Sequence, residues 1–245
     1  MWELPSRDAL IGLEKSDTET QAFRVLTRFA EAIGADLLSY HHIEPPGDET
    51  GSDGDDFTLM SHGFPEDWVR RYAESDYRRI DPITAYAAYQ TRPVLWSDVP
   101  HRVRLTQAQQ AYIEDLYSWL APGDGLAVPV FGPSSRHGYG SIGWRGDTRP
   151  WDAVTRRALQ SVFESFHLRI CELRLAAMAL DFELSPVQRR ILRAMASGLP
   201  DALICDRTDL RADALRIEMT RIMRAMRVSD RPSILLRARA LGLIG

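Results

Sequence analysis

Asp81 stands in the most aromatic stretch of the chain. Phe64 to Trp96 (FPEDWVRRYAESDYRRIDPITAYAAYQTRPVLW) carries two tryptophans, four tyrosines and one Asp-Pro step, Asp81-Pro82. An ionised carboxylate only accepts hydrogen bonds, an indole N–H only donates, and a phenol does both. Burying a carboxylate among aromatics is costly unless something donates to it. Rings at this density line a core or a pocket, each burying a large apolar area while Tyr and Trp keep a polar tip that needs a partner. Taken one at a time, Trp68, Tyr72 and Trp96 read as core aromatics. A catalytic reading would pair Asp76 with Asp81, yet no nucleophile, metal set or phosphate loop accompanies them. His41 and His42 are adjacent on a β-rich run, so they point to opposite faces and cannot share a metal. Cys171 and Cys205 lie far apart in predicted helices without metal-ligand spacing, and a cytosolic pair is normally reduced.

Around that stretch the periodicity predicts alternating helices and short strands. Thr18 and Gln21 have capping-box spacing ahead of Phe23, Leu26, Phe29, Ala30 and Ile33, and Gly34 stops the helix. ADLLSYHHIE and FTLMSHGF read as strands flanking a polar loop, PPGDETGSDGDD. A helix starts at Pro65 and runs through Tyr72, and the chain restarts at Asp81-Pro82. TQAQQAYIEDLYSWL is amphipathic and ends at APGDG; LAVPVFG and YGSIGW form strands joined by PSSRHG. A long helix from Pro150 follows, with Val154, Leu159, Val162, Phe163, Phe166 and Ile170 along one stripe. That stripe serves either a dimer contact or the chain's own core. The order predicts an α+β fold: an N-terminal α/β/α sandwich with an antiparallel sheet and a pocket between one helix layer and the sheet.

The charge is split. The chain of 245 residues carries −4 overall, but from Leu184 onward twelve arginines face six acidic residues, a local +6 that leaves −10 elsewhere. A basic segment on an acidic protein is the electrostatic footprint of a nucleic-acid-binding module. That segment predicts four helices, Pro186–Ser197, Ala202–Thr208, Ala212–Arg227 and Pro232–Leu241, with Ser185 as an N-cap and Gly198 as a stop. Short helices followed by a longer basic third helix fit a helix-turn-helix. The expected division is 1–177, a linker 178–183, and 184–245. No apolar run has the ~18 residues of a membrane span and the start lacks a signal peptide's pattern, so the expectation is a cytoplasmic protein.

Both parts resemble the LuxR-type quorum-sensing regulators. In the first part the likeness rests on Trp68 and Tyr72 (W-x3-Y), Asp81-Pro82, and Pro93 with Trp96 (P-x2-W). In the second it rests on Leu184-Ser185, Ile191-Leu192, Ala196, Gly198, Ile204, Leu210, Arg216, Ile222, Val228, Arg231 and the closing LGLI. The resemblance implies an autoinducer-binding domain for N-acyl-homoserine lactones and a DNA-binding domain used as a homodimer, with no further cofactor and no enzymatic activity. Asp81 would accept the ligand's amide N–H, Trp68 would donate to the lactone carbonyl, and Tyr72 and Trp96 would wall the pocket. Gly125 occupies a family glycine position before a pocket strand. Arg216 falls where the family contacts DNA and Thr220, one turn on, faces the same way; Arg211, Arg221 and Arg224 add positive charge on or near that helix.

The departures matter as much. Phe64 replaces a tyrosine that donates to the acyl carbonyl, and Gly143 stands where the last strand often has Ser or Thr. Losing both hydroxyls predicts a re-tuned acyl side, toward an aryl or unsubstituted chain or another small molecule. A chain that folds without ligand is the rival. In the second part Gln188 and Arg190 replace a Glu pair, Ala214-Leu215 replaces Thr-Val, and Thr208-Asp209 replaces Leu-Gly. Asp213 and Glu218 would repel phosphate. Two functions therefore stay open: a ligand-responsive regulator that binds DNA as a dimer, and an orphan that titrates a partner regulator by heterodimerising.

Overall fold

The computed structural model describes residues 3–43, 57–120, 123–146, 152–180 and 184–244; the expected polar loop at 45–56 lies outside them. The first unit opens with two helices, α1 (Glu3–Glu14) and α2 (Glu19–Ala32), of which α1 has no counterpart in the sequence reading. Thr18 caps α2 by accepting from the Gln21 N–H, while the Gln21 side chain returns to the Asp17 N–H. Strands β1 (Leu37–Ile43) and β2 (Phe57–His62) follow, then α3 (Glu66–Glu74), a 3-10 turn at Tyr77–Arg79, and α4 (Pro82–Ala87). The two-residue strand β3 (Val94–Leu95), α5 (Val99–Arg102), α6 (Gln107–Leu120), β4 (Gly123–Phe131), β5 (His137–Arg145) and the long α7 (Ala153–Leu180) complete the series.

The five strands lie in the order β2-β1-β5-β4-β3, every pair antiparallel. Because side chains alternate along a strand, the sheet sorts its residues between two cores. One face sends Leu38, Tyr40, Leu126, Val128, Val130 and Ile142 against α1, α2 and α7. The other sends Leu37, Ala127 and Tyr139 against Trp68, Ile83, Ala87, Trp96, Val99, Tyr112 and Leu116 from the α3–α6 side. His41 and His42 point to opposite faces, and both are buried. On the first face the Tyr40 hydroxyl lies 2.9 Å from His42 Nδ1 and 2.6 Å from His167 Nδ1, a polar knot within an apolar layer.

The α7 stripe belongs to the chain's own core. Leu159, Val162, Phe163, Phe166 and Ile170 are all buried, whereas Val154 is 79% exposed. The dimer reading of that stripe is thereby removed, and Val154 drops out of it. The chain divides between Ile170 and Cys171, within α7, and α7 runs on to Leu180. The expected linker thus loses its first three residues to helix, and 181–183 lie outside the described residues.

The second unit holds α8 (Pro186–Ala196), α9 (Asp201–Thr208), α10 (Ala212–Met226) and α11 (Arg231–Ala240). Ser185 forms a full capping box with Gln188, and Pro186 fills the first helical position. Its core gathers Ile191, Leu192, Met195, Ile204, Leu215, Ile222, Met226, Ile234 and Ala238. Arg231 at the start of α11 pairs with Asp201 at the start of α9.

Candidate functional site

A cavity lies between the sheet and the α3–α6 layer. Asp81 lines it, only 5% exposed. The Asp-Pro step explains how the carboxylate gets there. Asp81 is the N-cap of α4, with Pro82 at the first helical position, and its Oδ1 accepts from Ile83 N at 2.8 Å and Thr84 N at 3.3 Å. Its Oδ2 accepts from Thr84 Oγ1 at 2.8 Å and from the Tyr72 hydroxyl at 3.2 Å. Burial pushes the Asp81 carboxyl up from its ordinary range, opposed by donors from Thr84, Ile83 and Tyr112. Burial, reinforced by the charge of Asp81, also raises the Tyr72, Tyr112 and Tyr139 phenols, so all three stay protonated donors.

The aromatic wall is a packed box. Trp68 lies 6.1 Å from Tyr72, 5.9 Å from Tyr77 and 6.2 Å from Tyr112, ring centre to ring centre, and Tyr77 meets Tyr112 edge-on at 5.0 Å. These spacings suit offset and edge-to-face contacts. Asp115 on α6 ties the box to α3 by accepting from Arg71 and from the Tyr77 hydroxyl at 2.7 Å. Burial pushes the Asp115 carboxyl up, but those donors outweigh it and hold the group below its ordinary range.

Trp96 seals the floor over two glycines. Gly125 and Gly143 are paired across β4 and β5, and a Cβ on them would stand 2.5 Å and 2.6 Å from the Trp96 indole. Only a side-chain-free pair lets the ring lie flat on the sheet there. Asp124 fixes the approach by accepting from the backbone N–H of Ser97 at 3.1 Å. The buried Trp96 Nε1 makes no well-formed hydrogen bond among the described residues, although it lies close enough to the Tyr139 hydroxyl to act on that phenol. Further along the floor, Ser39, His41, Tyr139 and Ser141 face the cavity, with Ser61 and Leu59 at the mouth. Burial lowers the His41 pKa to about 3, so this imidazole is neutral.

In the helical unit, Arg211, Asp213, Arg216, Ile217, Thr220, Arg221 and Arg224 are exposed along and just before α10. Glu218 pairs with one of them, Arg221. Its side chain is 14% exposed and accepts from Gln188 Nε2 at 2.9 Å and from Arg221. The Thr220 hydroxyl donates to the Arg216 carbonyl at 3.0 Å.

Residues 18–170 match the autoinducer binding domain family. The transcriptional activator protein AnoR of Acinetobacter nosocomialis is 23% identical over 235 residues, 92% of this chain and 93% of that protein. RpaR of Rhodopseudomonas palustris, an HTH-type quorum sensing-dependent transcriptional regulator, is 23% identical over 76% of this chain and 74% of its own length. Among solved structures, Escherichia coli SdiA superposes with a TM-score of 0.75 at 17% identity, covering 97% of both chains. The chain belongs to the LuxR-type quorum-sensing regulators.

For a LuxR-type chain the sequence reading placed most of the pocket. Phe64, Trp68, Tyr72, Asp81 and Trp96 all line the cavity. Gly143 does not; it lies under Trp96, where a serine or threonine would collide with the indole. Ser141, two residues earlier on the same face of β5, brings a hydroxyl to the cavity instead. Tyr139, Ser39 and His41 went unnoticed as site residues, because alternation along a strand shows a shared face without showing which core it joins, and Tyr112 on α6 read only as part of an amphipathic helix. Asp76 pairs with exposed Arg79 and is no partner for buried Asp81. On α10, Arg216 and Thr220 share the exposed face as expected, while Arg221 is engaged by Glu218. Glu218 itself contacts Arg221 and Gln188, while Asp213 stays exposed on the same helix. Among the described residues no helix is long and apolar enough to cross a membrane.

Proposed function

We propose that this LuxR-type regulator senses an amide-headed lactone, an N-acyl-homoserine lactone or a close variant, and binds DNA as a homodimer. The observation that carries the reading is the buried, raised-pKa carboxylate of Asp81 at the wall of an aromatic-lined cavity. Nature tolerates such a group where a ligand donates to it. The carboxylate already accepts from Ile83, from Thr84 twice and from the Tyr72 hydroxyl, with Tyr112 as a further donor, so its lone-pair sites are filled. A ligand N–H therefore enters by exchange at Oδ2, where the Tyr72 contact at 3.2 Å is longer than that of the Thr84 hydroxyl at 2.8 Å and is the one to yield. The Tyr72 hydroxyl, once released, can donate to the ligand's carbonyl, which supplies the donor that Phe64 lacks. Trp68 donates to the lactone carbonyl, and no cofactor takes part.

On the DNA side, Arg216 and Thr220 face the groove while Arg211, Arg221 and Arg224 supply positive charge to phosphates. The contacts of Glu218 with Gln188 and Arg221 favour this over heterodimerisation without DNA contact. Native mass spectrometry of protein expressed with and without a panel of acyl- and aryl-homoserine lactones tests the reading. A retained lactone and a dimer in its presence support it. Folded protein that retains none of the panel refutes the lactone assignment, and a monomer that shifts only a partner's operator complex supports the heterodimer instead.

A further inference from the structure

The layer between the sheet and α7 holds a cluster that the signal pocket does not use. Tyr40 and His42 on β1 point away from the pocket, toward α7. On α7, His167 and Cys171 follow one another by one turn, so both lie on the same face of one uninterrupted helix. One ring nitrogen from each histidine and the Cys171 sulfur lie within 4.8 Å of one another, and all three side chains are buried. The Tyr40 hydroxyl stands beside them, 2.9 Å from His42 Nδ1 and 2.6 Å from His167 Nδ1. The sheet is bare where the imidazoles lie. Gly138 is the β5 partner of His42, and a Cβ there would stand 2.8 Å from His167 Nδ1. The rest of the layer is apolar, with Phe163, Phe166 and Ile170 from the same helix.

Two imidazoles and a thiolate are the donor set that takes zinc or copper. Charge decides between them. Two neutral imidazoles and one thiolate sum to −1, so a monovalent ion makes a neutral centre, whereas zinc leaves a net positive charge in an apolar layer, which is heavily penalised. We propose that His42, His167 and Cys171 form a buried copper(I) site that clips α7 to β1. The thiol proton leaves to solvent as the copper–sulfur bond forms, and no oxidation state changes. Ligands on one ion of this size stand ~3.5 Å apart, so the cluster closes by about an ångström on loading. Tyr40 touches both rings and holds them facing each other; it is a positioning residue, as the outer partners of metal-bound histidines are. Sequence spacing hides the site, because His42 comes from a strand far from α7 in the chain. The inference does not depend on what the pocket binds, since His41 and Ser39 face the cavity from the other side of β1.

The test is a copper(I) titration of the full, reduced chain under nitrogen with ascorbate, in competition with bicinchoninate. A Cys205→Ser background leaves Cys171 as the one thiol. Because the site is buried, copper is also supplied during expression and the purified chain assayed for it. The proposal predicts one tightly held equivalent, X-ray absorption with two nitrogen neighbours and one sulfur neighbour per copper, and a melting temperature that rises with occupancy. Cys171→Ser should weaken binding by more than about 100-fold, beyond the 10- to 100-fold typical of outer-shell changes, and Tyr40→Phe should fall within that range. His42→Asn should match Cys171→Ser, and it stands in for that variant if the serine disturbs the core. Copper held no more tightly by the parent chain than by these ligand variants, or copper with nitrogen and oxygen neighbours alone, overturns the site. Zinc that displaces copper(I) from the same three side chains overturns the choice of ion.

Discussion

Replacing Asp81 by Asn separates the two jobs the carboxylate performs. Asparagine caps helices about as well as aspartate, and its Oδ1 can keep the bonds from Ile83 and Thr84. Its amide can donate to the Tyr72 and Thr84 hydroxyls, which accept as readily as they donate. The ligand-free fold should therefore survive. What is lost is an anionic acceptor for the ligand's N–H. A hydrogen bond to a charged group contributes about 1.5–3 kcal/mol, so the affinity should fall roughly 10- to 150-fold. With wild type at about 1,000 times Kd, ligand stabilises the fold by about 4 kcal/mol, and a roughly 100-fold weaker Kd leaves about 1.4 kcal/mol. At roughly 2–4 °C per kcal/mol for a unit of this size, a shift of about 8–16 °C shrinks to about 3–6 °C.

The ligand-free comparison has its own sign. The folded pKa of Asp81 is raised. Below the unfolded value of ~3.9 both states hold the proton, and the folded state suffers nothing. As pH rises from there through the folded pKa, the unfolded state releases its proton first and wild type loses stability. The Asn variant has no such loss, so its stability relative to wild type should climb across that window and then level off. Subtracting the two profiles removes Asp115, Asp152 and Asp230, whose depressed values stabilise above ~3.9 and are lost as pH falls. Chemical denaturation at several pH values, with and without ligand, measures both effects. An unchanged ligand-induced shift, or a difference profile that falls with pH, refutes the account of Asp81.

Gly143→Ser should push the Trp96 indole off the sheet, costing about 1–3 kcal/mol of stability as overpacking does; calorimetry and tryptophan emission report it, and a silent substitution would contradict the packing. Asp209 ends α9 at φ 57, in the left-handed region, so Asp209→Gly should stabilise the helical unit by about 0.5–1 kcal/mol in denaturant melts, with no gain or a loss counting against strain at that cap. Arg216→Ala should weaken operator binding and lower the salt dependence by roughly one unit of slope if Arg216 holds a phosphate, or relax base preference if it reads a base. Arg221→Ala should do less, since Glu218 already engages that guanidinium, and a larger effect than at Arg216 would reverse their assigned roles.

How far the residues announced the structure depends on which physics each one obeys. Local rules were readable: the N-cap at Ser185, Pro82 behind Asp81, and alternation that sends His41 and His42 to opposite faces all appear as their chemistry requires. Three-dimensional neighbours were not. Nothing in YGSIGW reveals that Gly143 must be bare because Trp96, some fifty positions away, lies on it. The α7 stripe shows an apolar face without showing what covers it, and the answer was the sheet and α2. Helix α1 and strand β3 escaped because a twelve-residue helix of weak amphipathicity and a two-residue strand leave little periodicity to detect. The contacts of Glu218 were hidden too, since one partner, Gln188, lies on another helix.

One consequence follows from where the polar groups of the pocket are anchored. Asp81 is both the cap of α4 and the proposed acceptor for the ligand, and Trp96 both covers the paired glycines and walls the pocket. Ser39, His41 and Ser141 belong to β1 and β5, which pair with each other in the interior of the sheet. None of these residues is on a loop that could reorganise alone. A ligand that engages them adds its contacts to the core itself, so binding and the stability of the first unit are one equilibrium. For such an arrangement, mutations that repack the cavity with bulk, for example at Ser39 or Ser141, should mimic part of the ligand's stabilisation while abolishing its binding. A regulator whose signal merely docked on a finished surface would show no such trade.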